Sequence, residues 1–145
     1  MALLNIFDQS GSGMAAQTIR LNAIASNIAN AESVAADPTD TYRARYPVFQ
    51  AALQDAIGDG SPNGSTEAVH GGVQVPAIIE SQKPFTLRYE PDHPYANDDG
   101  YVTYPNVSVV EEMANMISAS RSFQVNVEVL NTAKSLAERV LSLGQ

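Results

Sequence analysis

From Ser108 to Leu143 the chain carries no glycine and no proline. Ser108-Val109-Val110-Glu111 has the form of a capping box, and Glu111 and Glu112 put negative charge where a helix leaves its first N–H groups free. Val109, Met113, Met116, Ser120, Phe123, Val127, Leu130, Lys134, Ala137 and Leu141 then follow a 4-3 alternation. Val110, Ile117, Val129, Leu136, Val140 and Leu143 are apolar too, but sit off that stripe. Val125, Val127 and Val129 alternate like a strand, within surroundings of helical period. The pattern predicts one helix of roughly 54 Å, with Gly144 as its cap. A helix that long does not fit inside a compact domain made from 145 residues.

The other end of the chain, residues 1–34, reads as a second helix. Phe7, Met14, Leu21 and Ile28 recur every seven residues, with Ile24 and Ala25 between them. Gly11 and Gly13 weaken a helix, which places its firm start near Ser12. The two helices suit an antiparallel coiled coil. Both are apolar on more than one face, so the surplus faces point to burial against other subunits.

Residues 35–106 differ in kind. They hold all eight prolines and six of the nine glycines. Short alternating runs, Val73-Gln74-Val75, Phe85-Thr86-Leu87-Arg88-Tyr89 and Tyr101-Val102-Thr103-Tyr104, predict a small antiparallel sheet with a hairpin around Ser81 to Pro84. Pro76 and Pro84 push these strands toward edges. The segment 55–72, rich in Gly, Ser, Asp and Asn, reads as a mobile loop. The fold class is thus mainly α with a small β region of short strands and long loops, and residues 107–145 complete it.

Little in the chain suggests chemistry. The net charge of -8, with eight scattered Lys and Arg residues, lacks the basic patch of a nucleic-acid binder. No cysteine is present, which removes disulfides, thiolate metal sites and cysteine catalysis. There is no Walker loop, no GxGxxG and no GxSxG. Glu111 and Glu112 are explained by the helix start. His93, with Asp92 and Asp98, could hold a metal or serve a small periplasmic enzyme, but its spacing matches no ligand signature and fits a solvated turn. No catalytic, cofactor-binding or metal residue is assigned, and no small-molecule substrate is expected. No run approaches the apolar length of a membrane span. The start MALLNIFDQSGSG lacks the basic region and apolar length of a signal peptide, so the expectation is a cytosolic chain or one exported by a signal-less route.

The polar residues of the helices are more telling. Asn22, Ser26 and Asn30 lie at i, i+4 and i+8 and form one seam; Ser118, Ser122 and Asn126 form another. Between residues 21 and 31 there is no charge at all. A solvent face would favour Lys and Glu, whereas small amides and hydroxyls let helices approach closely and can fix register. A simple solvent face remains the other reading. The candidate interface residues are Met14, Leu21, Asn22, Ser26, Asn27, Ile28 and Asn30 on the first helix. On the second they are Met113, Met116, Ile117, Ser118, Ser122, Phe123, Asn126, Val127, Leu130, Leu136 and Leu141.

The run Leu21-Asn22-Ala23-Ile24-Ala25-Ser26-Asn27-Ile28-Ala29-Asn30-Ala31 resembles the N-terminal signature of bacterial flagellar rod, hook and hook-associated axial proteins. Asn106-Val107-Ser108-Val109-Val110-Glu111-Glu112-Met113 and Ile117-Ser118-Ala119-Ser120-Arg121-Ser122-Phe123-Gln124-Val125-Asn126 resemble the matching C-terminal signature. The opening Leu4-Asn5-Ile6-Phe7-Asp8, the segments Tyr42-Arg43-Ala44-Arg45 and Gly100-Tyr101-Val102, and the ending from Asn126 are similar to the basal-body rod proteins of the proximal-rod type. Residues 32–40 insert before Thr41-Tyr42, where many axial proteins continue directly into a turn.

The resemblance implies a structural subunit, not an enzyme. It implies export through the flagellar type III apparatus with an uncleaved N-terminal signal. It further implies helical assembly into a rod that crosses the periplasm, with the terminal helices around the export channel and motor torque passed to the hook. The implied partners are copies of the chain, neighbouring rod proteins of the FlgB and FlgF types, the FliE adaptor and the export apparatus. A coiled-coil adaptor of another secretion machine is the remaining alternative.

Overall fold

The computed structural model describes residues 2–54 and 70–143. It contains helix α1 (Ala2–Ala29), a short 3-10 turn (Pro38–Asp40), strands β1 (Arg45–Gln54), β2 (His70–Glu80), β3 (Thr86–Tyr89) and β4 (Tyr101–Tyr104), and helix α2 (Val109–Leu143). The chain is mainly helical with a small β region, as the sequence predicts. No described helix is long and apolar enough to cross a membrane.

The start of α2 follows from its cap. The Glu111 N–H donates to Ser108 Oγ at 3.4 Å, and the Glu112 N–H to the Ser108 carbonyl at 2.9 Å. At α1 the expectation fails. The helix does not begin near Ser12 but runs from Ala2 through both glycines. At Gly13 the reason is space: a Cβ there would lie 3.0 Å from Asn126 Nδ2. Close approach offsets a propensity penalty of about 1 kcal/mol per glycine.

The strands pair differently from the expectation. No hairpin forms around Ser81 to Pro84. Instead β1 pairs with β2, and β3 pairs with β4 in antiparallel register, Thr86 opposite Tyr104 and Tyr89 opposite Tyr101. The turn groups around Ser81 are already taken. The Ser81 N–H donates to the Ala44 carbonyl, and Asn106 Nδ2 donates to the carbonyls of Ser81 and Lys83. Strand β1 escaped the sequence reading because Pro47 and two alanines interrupt its pattern; a two-stranded ribbon has a free edge that tolerates proline. Of the expected loop 55–72, residues 55–69 lie outside the described residues, and 70–72 belong to β2. Gly144 also lies outside them.

Two compact units partition the chain: Met1–Ile19, Phe49–Pro76 and Ser120–Gln145 make one, and Arg20–Val48 and Ala77–Ala119 the other. In the first, Ser10, Ala16 and Ala133 are buried. In the second, the core comprises Ala23, Ile24, Asn27, Ala31, Ala44, Val102, Tyr104, Glu112 and Ala119. On α2, Glu112, Ala119 and Ala133 are buried, whereas Met113, Lys134 and Leu141 of the 4-3 alternation are exposed. The small side chains of Ala119 and Ala133 allow close packing there and leave larger apolar groups outside.

Candidate subunit interface and the polar clamp behind it

Asn27 is completely buried, yet every hydrogen-bonding position of its carboxamide is used. Its Nδ2 donates to the Arg45 carbonyl and to Glu112 Oε2, both at 3.0 Å. Its Oδ1 accepts from the Arg45 N–H and the Tyr42 hydroxyl, both at 2.9 Å. Two donors and two acceptor sites are all that an amide offers. Glu112, 1% exposed, accepts a further bond on Oε1 from the Tyr46 hydroxyl at 3.1 Å. The Ala44 N–H donates to Asn106 Oδ1 at 2.9 Å, just ahead of α2. Together these bonds clamp residues 42–46 between the last turns of α1 and the first turn of α2.

The clamp shifts one acid–base equilibrium. Burial first, and then the Glu112 carboxylate beside it, push the Tyr46 phenol from 10.0 up to about 12. A raised folded value means that the protonated phenol favours the fold. That contribution is complete below about pH 10 and is lost as pH rises toward about 12. Ultraviolet titration at alkaline pH should show a late-ionising tyrosine that disappears in Tyr46→Phe. An unchanged titration in that variant would exclude the assignment.

The sequence-predicted interface residues separate into three groups. Asn27 is the hub of the clamp, with all of its partners inside the chain, so it is not available to a neighbour. Ser26 and Asn30 are half-buried: Ser26 shares a 3.2 Å bond with the Tyr42 hydroxyl, and Asn30 Nδ2 donates to the Ser26 carbonyl at 2.8 Å. Met14, Leu21, Ile28, Met116, Ser122, Phe123, Asn126, Val127 and Leu130 are half-buried as well. Asn22, Met113, Ile117, Ser118, Leu136 and Leu141 are exposed.

Exposure reveals a further set. Val110, Met113 and Ile117 lie at i, i+3 and i+7 on α2 and are 78%, 56% and 71% exposed. Val125, Val129, Leu136 and Val140 form an exposed row farther along. Sequence reasoning placed Val110, Ile117, Val129, Leu136 and Val140 off the stripe but did not count Val110, Val125, Val129 and Val140 among the interface candidates; their apolar character outside the seam was the available signal. On the β3–β4 hairpin, Leu87, Tyr89 and Tyr101 face outward while Val102 and Tyr104 face in.

The clamp residues Tyr42, Arg45, Tyr46 and Asn106 also went unrecognised, and Glu112 was read as a surface helix-start charge. Glu111 fits that description, exposed and 3.9 Å from Lys83; Glu112 does not. His93 sits in a turn in which its Nδ1 accepts the Tyr95 N–H at 3.1 Å. Among the described residues no three His, Cys, Asp or Glu side chains form a metal-sized cluster.

Two family descriptions match the helical ends: "Flagella basal body rod protein" over residues 7–34, and "Flagellar basal body rod FlgEFG protein C-terminal" over 98–143. The flagellar basal-body rod protein FlgC of Salmonella typhimurium is 53% identical over 145 residues, covering all of both chains. The chain belongs to the FlgC family of flagellar basal-body rod proteins. FlgC of Escherichia coli O6:H1 is 52% identical over the full length of both. FlgC of Borreliella burgdorferi is 32% identical over 151 residues, with 99% of that protein covered. As a member of the FlgC family this is a structural rod protein of the flagellum, serving motility, and not an enzyme. In that light the clamp and the exposed apolar rows are features of a building block.

Proposed function

We propose that the chain is a proximal-rod subunit that assembles helically around the export channel and passes motor torque toward the hook. Residues 1–34 and 107–145 pair as an antiparallel coiled coil on the channel side, and residues 35–106 form the outer layer. Support for the pairing comes from contacts that run in opposite sequence directions: Gly13 beside Asn126, Arg20 Nη2 donating to Asn115 at 3.4 Å, and Asn27 bonded to Glu112. The observation that carries the assembly reading is the exposed row Val110, Met113 and Ile117. Apolar side chains at helical spacing and this exposure call for a protein partner. Copies of the chain and rod proteins of the FlgB and FlgF types fill that role, with the FliE adaptor at the base. The chain is exported through the type III apparatus without a cleaved signal peptide and resides in the part of the rod that crosses the periplasm.

Met113→Lys with Ile117→Glu tests the reading in a strain whose own FlgC-type protein has been replaced. Both side chains are more than half exposed, so the helicity of the purified chain should be unchanged. Swimming should fall at least tenfold, with the variant still exported. Normal swimming would remove the α2 row from the interface.

A further inference from the structure

Beside the clamp, at the C-terminal end of α1, lies an open pocket of about 480 Å³, within the size range of binding sites. Asn30, Val34, Asp40, Thr41, Arg43, Arg45 and Glu80 contribute to its wall. Three features give it a preference for a positive guest. First, α1 ends here without a basic residue in its last turn, so no side chain of that turn offsets the negative end of the helix dipole. Second, both guanidiniums of the wall are occupied, Arg45 by Glu80 at 3.2 Å and Arg43 by the Ser81 carbonyl at 3.2 Å, whereas the Asp40 carboxylate has no partner among the described residues. Third, Thr41 is 5% exposed, and its hydroxyl has no hydrogen-bond partner among the described residues. A buried hydroxyl left unpaired costs free energy that an incoming donor can recover.

The chain itself holds a matching group. Five of its eight cationic side chains are engaged internally: Arg20 with Asn115, Arg43 over the Phe85 ring, Arg45 with Glu80, Lys83 with Glu111 and Arg88 with Glu32. Arg121, Lys134 and Arg139 have no ion pair or hydrogen-bonded side-chain partner among the described residues. All three are on α2. Lys134 has Glu138 one turn away on its own helix. Arg139 has no carboxylate at i±3 or i±4, and it lies four residues from the end of α2. The end of a helix can enter a pocket that its middle cannot. The exposed Leu136 and Val140 flank Arg139, and Val34 offers them an apolar contact.

We propose that this pocket is the socket for the end of α2 of a second copy, whose Arg139 pairs with Asp40 and the carbonyl end of α1. Such a contact is heterologous: one surface meets a different surface of the next copy, which builds open helical arrays rather than closed dimers. The inference rests on the assembly reading above and names the surfaces that meet.

Charge exchange tests it, again in a strain whose own FlgC-type protein has been replaced. Asp40 and Arg139 are exposed and make no side-chain hydrogen bond or ion pair among the described residues, so circular dichroism of purified Asp40→Arg and Arg139→Asp should match the parent. Each single variant should be exported normally yet shrink the swimming halo at least threefold. The double variant, which restores opposite charges across the contact, should recover at least two thirds of the parent halo. A double variant no better than the worse single variant, or Asp40→Arg swimming like the parent, overturns the socket. If the socket fails while Met113→Lys with Ile117→Glu still blocks swimming, the assembly reading stands. A parent chain that never enters basal bodies would overturn both.

Discussion

Asn27→Leu lowers the unfolding free energy of the isolated chain by about 4 kcal/mol, from stranded buried groups that cost ~1–3 kcal/mol each. The substitution removes four hydrogen bonds at once. Glu112 keeps only the Tyr46 hydroxyl, and the Arg45 N–H and carbonyl lose their partner. Some of these groups find water, which limits the loss. The expected loss is a large share of the roughly 5–15 kcal/mol that holds a domain together. Urea unfolding followed by circular dichroism measures it. Asn30→Leu is the comparison: it forfeits a single part-buried bond to the Ser26 carbonyl and should cost under about 1 kcal/mol. Equal midpoints for the two variants would show that the clamp does not hold the fold. Asn27→Asp should be nearly as damaging as Asn27→Leu, because it sets a second carboxylate against Glu112 and removes both donors.

Gly100→Val should cost about 3 kcal/mol, combining a left-handed backbone penalty of ~1–3 kcal/mol with a steric clash. Gly100 has φ 80 and is the one described glycine with a positive φ. It ends the turn between β3 and β4, where its N–H donates to the Asn97 carbonyl and its own carbonyl accepts from the Glu90 N–H. An added Cβ would stand 2.9 Å from the Tyr89 ring and 3.3 Å from Pro91. The Tyr89–Tyr101 pair, edge to face at 5.3 Å between centroids, would have to open. Near-ultraviolet circular dichroism reports on the tyrosine pair, and urea unfolding on the cost. A variant with native midpoint and native tyrosine signal would show that the turn can be rebuilt without this conformation.

Several elements were legible because their causes are local. The start of α2 follows from Ser108 and its capping geometry. Strands β3 and β4 follow from alternation, and the length of α2 from the absence of glycine and proline. The missing charges between residues 21 and 31 pointed to helices packed in an assembly, and the two terminal signatures resembled the rod family, which full-length relatives then established.

Local pattern could not choose the buried face of α2. Residues 112 and 113 are 100° apart on a helix, and periodicity alone favoured Met113 because it is apolar. Packing chose Glu112, because Asn27 and Tyr46 offer its carboxylate two donors. The same limit applied to Asn27, which the sequence placed among the candidate interface residues. Its partners lie 15, 18 and 85 residues away.

By itself, then, the sequence determined the two long helices, the small β region and membership in an assembling family, since each depends on neighbours within a few turns. Only the tertiary structure decided which strands pair, which helix faces remain outside and that Asn27 serves the fold. Those outcomes depend on hydrogen-bond partners and close approaches that distant segments supply, and no local period encodes them.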